Sequence, residues 1–178
     1  MGLFDKLFGK KKPVASEKTV NFTIDIQGDC FIINGSRLEV PMHIDALTAV
    51  LGEPRRVCFK TKPEDREFLE KLHSEPVTDR VNYAWDELGL MCYTYNGKVV
   101  NSFGICMQPA DNKSPSNPKG LYGGTVLIGG QPWFPAVMQG ELYFGEYLLT
   151  AEYTDFYQDD KTRTEKDFTG IEIQLKNS

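Results

Sequence analysis

The side chains able to do acid–base, nucleophilic or metal chemistry are few in this chain, and they stand far apart. Its two histidines, His43 and His73, fall at the start and near the end of two helical patterns, neither in a metal-ligand spacing nor beside a cysteine motif. The four cysteines, Cys30, Cys58, Cys92 and Cys106, are spread through apolar, strand-like runs with no C-x-x-C pair, which reads as reduced thiols inside a cytoplasmic protein. No G-x-S-x-G, phosphate-binding glycine loop or H-E-x-x-H occurs. The glycine-rich run "GLYGGTVLIGG" interrupts a strand instead of opening a helix, so it has no helix N-terminus to receive a phosphate. Asp155, Asp159, Asp160 and Glu165 have neither the spacing nor the glycine of a calcium loop. Asp86 and Glu87 are adjacent carboxylates, but neighbouring strand residues point to opposite faces, and carboxylates at a turn cap it or face water. The chain therefore reads as non-enzymatic, with no cofactor, no metal and no catalytic residue to assign.

One stretch does suggest recognition. Residues 141–160, "ELYFGEYLLTAEYTDFYQDD", hold Glu141, Glu146, Glu152, Asp155, Asp159 and Asp160 and no basic residue, interleaved with six aromatics. Carboxylates steer and pair with Lys or Arg while aromatic rings supply rigid contact area, a combination suited to a basic protein partner. Glu152, Asp155, Tyr157, Asp159 and Asp160 are the candidate partner-binding residues. Alternation sends Tyr147, Leu149, Ala151 and Tyr153 to one face, so part of the pattern must be core.

Charge distribution agrees with that reading. Residues 1–12, "MGLFDKLFGKKK", carry four lysines against one aspartate, a net +3, so the formal −5 of the whole chain leaves −8 on the rest. An acidic body repels nucleic acid and anionic membrane and attracts basic proteins. Within the first twelve residues Leu3, Phe4, Leu7 and Phe8 fall on one arc of a helix, with lysines elsewhere. Such a segment could lie on a membrane surface or dock on a partner. Lys6 stands where the myristoylation pattern needs Ser or Thr, and no secretory signal is expected.

The elements that must position these residues are mostly strands. "VNFTIDI" alternates with Phe22, Ile24 and Ile26 on one face, and Asn34-Gly35 inside "CFIINGSRLEV" is a strong hairpin signal, because a type I′ turn needs positive φ at both central residues. "PMHIDALTAVLGEP" spaces Ile44, Leu47, Val50 and Leu51 as a short helix stopped by Gly52 and Pro54, and "PEDREFLEKLHSEP" is a second helix candidate between two strands. Val81 to Met107 reads as a three-stranded meander turning at 87–89 and at Asn96-Gly97. In it Tyr83 and Trp85 share a face, as do Met91, Tyr93 and Tyr95, and then Phe103, Ile105 and Met107, so its aromatics read as sheet packing. Gly123 to Trp133 aligns without a gap on Gly28 to Leu38, pairing Ile128 with Ile33 and Gly130 with Gly35, which suggests a degenerate repeat or two equivalent hairpins. Two alternating strands follow, around the charged turn "DDKTRTEK".

The expected fold is α+β: a predominantly antiparallel sheet of hairpins and a meander, with one or two short helices packed on it. Its expected organisation is a basic amphipathic segment at 1–12, a linker at 13–19 and one domain at 20–178, as a single body or as two lobes, 20–109 and 123–178, joined by the Pro- and Gly-rich loop 110–122.

The order hairpin, short helix closing on "LGEP", then aromatic meander resembles the helix-on-meander units of beta-lactamase-inhibitor-like and BamE-like domains. The phrases "FIINGSRLEVP", "LTAVLGEP" and "YAWDELGL" resemble more closely an uncharacterised family of small bacterial cytosolic domains, a group that includes immunity proteins of toxin systems. The resemblance covers about residues 22–135 and rests on turns and core positions. It implies a binding or scaffold role and brings no catalytic residues. The expectation is a cytoplasmic module that covers a basic toxin or effector, with a membrane-associated scaffold held by residues 1–12 as the alternative. An enzyme using acidic residues in a cleft between lobes is a third reading with no residues to name.

Overall fold

A computed structural model describes residues 22–59, 80–108, 117–133, 141–153 and 168–175. Twelve strands and one helix are formed by these residues. Three short strands, β1 (Thr23–Ile26), β2 (Cys30–Ile33) and β3 (Ser36–Glu39), precede the helix α1 (Ile44–Leu51). Then come β4 (Arg56–Phe59), β5 (Val81–Trp85), β6 (Leu90–Thr94), β7 (Val100–Cys106), β8 (Thr125–Ile128), β9 (Gln131–Pro132), β10 (Glu141–Phe144), β11 (Tyr147–Tyr153) and β12 (Phe168–Leu175).

The strands form a five-stranded sheet in the order β3-β2-β1-β8-β9 and a seven-stranded sheet in the order β10-β11-β12-β7-β6-β5-β4. Every pairing is antiparallel except β1 with β8, which is parallel, with Ile24 opposite Val126 and Ile26 opposite Ile128. Strands from before and after the 110–122 stretch share each sheet. The two segments that align in sequence become the hairpins β2–β3 and β8–β9, placed on opposite sides of β1. Both turn on two residues of positive φ, Asn34 and Gly35 in the first, Gly129 and Gly130 in the second, as a type I′ hairpin requires.

Alternation on the two sheets makes one core. Ile24, Ile26, Phe31, Ile33 and Leu38 from the smaller sheet and Leu90, Phe103, Ile105, Leu149, Ile171 and Ile173 from the larger are all buried in a single cluster. Phe31 joins the sheets directly, edge-on to Phe103 at 5.8 Å and to Tyr147 at 5.1 Å. Edge-on rings at this separation match the positive edge of one to the negative face of the other.

The short helix lies where its sequence pattern placed it, with Ile44 and Leu47 buried. An eight-residue helix is marginal on its own, and here both ends are held by strands. The Ile44 amide donates to the Lys98 carbonyl at 2.8 Å, and the Val100 amide to the Met42 carbonyl at 2.9 Å. At the other end Gly52, with φ of 81°, donates its amide to Thr48, and its carbonyl accepts the Trp85 indole N–H at 2.7 Å. The second helix candidate, residues 63–76, lies outside the described residues.

The meander forms as expected, with one difference in its facing. Met91, Tyr93 and Tyr95 do share a face, but it is the outer one, and Tyr95 is 46% exposed. Leu90, Cys92 and Thr94 are the inward residues of β6, paired with Trp85, Tyr83 and Val81 of β5. Aromatic strand residues fit either face of a sheet, and on the inner face Cys92 lies opposite Phe103 of β7.

Candidate partner-binding surface

The acid and aromatic stretch begins on the β10–β11 hairpin. Its two-residue turn is Gly145-Glu146, with Gly145 at φ of 57°. The turn is seated on the other sheet: the Glu146 amide donates to the Gly28 carbonyl at 3.0 Å, and a Cβ at Gly145 would overlap that same oxygen. Glycine is thus required here for its conformation and for its lack of a side chain.

Register then divides the hairpin. Phe144 packs on the core and Tyr147, Leu149 and Ala151 are buried, as alternation predicted for β11. Glu141, Tyr143 and Glu146 are exposed, Tyr143 at 65%, and Leu142 at the rim of the core is 38% exposed although it pairs with the buried Leu149. β10 is the terminal strand of its sheet among the described residues. Tyr143 thus stands on the outer side of β10 with Glu141, while Leu142 lies on the core side at its rim.

Of the residues expected to bind a partner, Glu152 lies in β11 opposite Gly170, beside a β-bulge at Glu152/Tyr153. Asp155, Tyr157, Asp159 and Asp160 lie outside the described residues, as do Leu3, Phe4, Leu7 and Phe8. Among the described residues, then, the exposed acid–aromatic residues are Glu141, Tyr143 and Glu146, with Leu142 at the rim of the core.

Asp86 and Glu87 are not a carboxylate pair acting together. Asp86 is buried and is held by Arg56 through two hydrogen bonds, Nε to Oδ2 at 2.8 Å and Nη2 to Oδ1 at 2.7 Å. Its Oδ1 also accepts the Lys119 amide at 2.9 Å. The Arg56 guanidinium holds the Asp86 carboxyl below its usual range, against the opposing effect of burial. A carboxylate with its lone pairs so occupied is a tie between strands and loop, not a base. Glu87, in contrast, meets Arg55 at 3.3 Å on the surface, where such a pair is worth little. Arg56 could not be singled out from the sequence, since its partner is thirty residues away and only the strand pairing brings them together.

A second buried acid also escaped sequence reading. Asp25, on the outward side of β1, accepts the Gly130 amide at 3.0 Å and the Gln27 side-chain amide at 2.6 Å. It ties the β8–β9 turn to β1.

Among the described residues no group of three or more His, Cys, Asp or Glu side chains is arranged to hold a metal ion. His43 is exposed at the N-cap of α1 and its side chain makes no capping bond. Cys30 and Cys92 are buried free thiols; Cys58 and Cys106 are half-buried.

Neither the curated proteins nor the solved structures include a match to this chain. A family model does match, over residues 23–143, from the first residue of β1 into β10. That span takes in the five-stranded sheet, the helix and the meander, which is the greater part of the chain, and the protein belongs to the family of that model, the domain of unknown function DUF7738.

Proposed function

We propose that this protein is a non-enzymatic, cytoplasmic binding module that engages a basic protein partner through the acid–aromatic surface of residues 141–160. An immunity or inhibitor role, covering the active cleft of a basic bacterial toxin or effector, is the form of that function the charge pattern supports best. The observation that carries the reading is the exposure of Tyr143 with Glu141 on β10, the terminal strand of its sheet among the described residues, and of Glu146 in the turn that follows. Interface energy concentrates in a few aromatic and charged anchors, and acids around them set on-rate and specificity. No helix among the described residues is long and apolar enough to cross a membrane.

The test compares capture by tagged full-length protein at low and high salt with capture by Leu142→Ser/Tyr143→Ala and by Asp155→Lys/Asp159→Lys/Asp160→Lys. A basic protein retained by the native chain at low salt, and weakened at least about tenfold by either variant, is expected. Equal retention by all three proteins would place the interface elsewhere. Flotation of native protein with anionic vesicles, lost on deleting residues 1–12, would instead favour the membrane-associated scaffold suggested by Leu3, Phe4, Leu7 and Phe8.

A further inference from the structure

The outer face of the seven-stranded sheet holds an arginine that differs from the other described arginines. Arg37, Arg55 and Arg56 each pair with a carboxylate. Arg80 has no carboxylate partner among the described residues, and its Nε is buried without an acceptor. It directly precedes β5, and strand alternation puts it on the same face as Asn82, across from Tyr93 of β6 and Tyr95 just beyond its end. The guanidinium carbon stands 3.9 Å from the centroid of the Tyr93 ring, and Tyr95 closes edge-on to Tyr93 at 5.6 Å.

We propose that Arg80 is the receptor of a carboxylate-binding site on this outer face. Stacking on Tyr93 fixes the plane of the guanidinium, and a fixed planar fork is suited to the two oxygens of a carboxylate. A buried N–H without an acceptor is rare in folded proteins, and here it belongs to a cation with no carboxylate partner among the described residues. The position of Glu172 selects among anions. Its Oε1 accepts the Ser102 hydroxyl at 2.6 Å, and Ser102 is the cross-strand neighbour of Tyr93. Burial, reinforced by the charge of Glu172, pushes the Tyr93 phenol up to about 12, so the acid acts on the same site that Arg80 covers. A negative charge beside the site repels a phosphate dianion more than a carboxylate monoanion. The site is separate from the β10 surface and does not depend on it.

The test follows the Arg80 Nε–H and Tyr93 ring resonances by NMR while acetate or inorganic phosphate is added to full-length protein, with chloride holding ionic strength constant. Acetate is expected to give a saturable shift of both signals, and phosphate to bind at least about fivefold more weakly. Arg80→Gln should abolish the Tyr93 shift. Glu172→Gln, which leaves Arg80 in place, should narrow the gap between phosphate and acetate. No saturable shift with acetate, an equal shift in Arg80→Gln, or tighter binding of phosphate to the native protein would each overturn the proposal.

Discussion

Arg56 and Asp86, thirty residues apart, form a two-pronged ion pair that joins the edge strand β4 to the end of β5 and, through the Lys119 amide and the Asn117 carbonyl, to the segment leading into β8. The side chains are 23% and 10% exposed, so the pair is largely out of water. The neighbouring Gly120 amide adds a bond to the Asp86 carbonyl at 2.9 Å. One carboxylate thus fixes the connection between the two sheets.

Removing one member of such a pair leaves a buried charge without compensation, which costs more than the pair itself contributes. Asp86→Ala is expected to lower stability by about 3 kcal/mol. Glu87→Ala, at the exposed Arg55 pair, should change it by less than about 0.5 kcal/mol. Urea denaturation of the two variants checks the contrast.

The same pair gives stability a pH dependence. Asp86 is held below its ordinary value by the Arg56 hydrogen bonds first, while burial opposes them and the Lys119 amide assists. Because the folded value lies below the unfolded one, near ~4, the carboxylate stabilises the fold above that pH. The contribution is lost as pH falls through the folded value. Native protein should therefore lose stability more steeply below about pH 4 than Asp86→Asn does, a difference read from denaturation midpoints measured across that range.

Two glycines with the same kind of backbone should respond differently to alanine. Gly35 and Gly145 both have positive φ, 82° and 57°, but a Cβ at Gly35 meets open space whereas one at Gly145 overlaps the Gly28 carbonyl. Gly35→Ala should cost about 1 kcal/mol, the left-handed backbone penalty alone. Gly145→Ala should cost on the order of 3 kcal/mol, since the β10–β11 turn must also lift from the β1–β2 turn. Equal costs would mean that the two turns do not depend on each other.

Thiol reactivity should follow burial. Cys30 and Cys92 are buried, and burial raises both thiols above their ordinary value. Cys58 sits half-buried on β4. An alkylating reagent under native conditions should modify Cys58 at least about 100-fold faster than Cys30 or Cys92, which become reactive only on unfolding. Peptide mapping by mass spectrometry resolves the three sites.

Much of the strand layout was legible along the chain. The Asn34-Gly35 hairpin, the helix ending at Gly52, the meander from Val81 and the inward run Tyr147, Leu149 and Ala151 all rest on neighbours within a few residues. The acid–aromatic stretch was legible as composition, while its described part shows how register divides it, with Tyr143 outward and Tyr147 inward four residues later. The facing of Tyr93 and Tyr95 was not legible, since a strand with large residues on one face and Leu, Cys and Thr on the other satisfies alternation either way.

What the sequence determined by itself is therefore local: where strands turn, where the helix stops, and the acidity of the body. These follow from backbone preferences and a period of two, which act over a few residues. The tertiary structure alone decided which charges are buried and which side chains are exposed. Arg56 meets Asp86 because β4 lies beside β5, and Asp25 receives the Gly130 amide because β8 pairs in parallel with β1 about a hundred residues upstream. Arg80 stacks on Tyr93 because β5 lies beside β6. Such pairings depend on which strands become neighbours, and that is fixed by burying one shared core, a property of the whole chain and of no single segment.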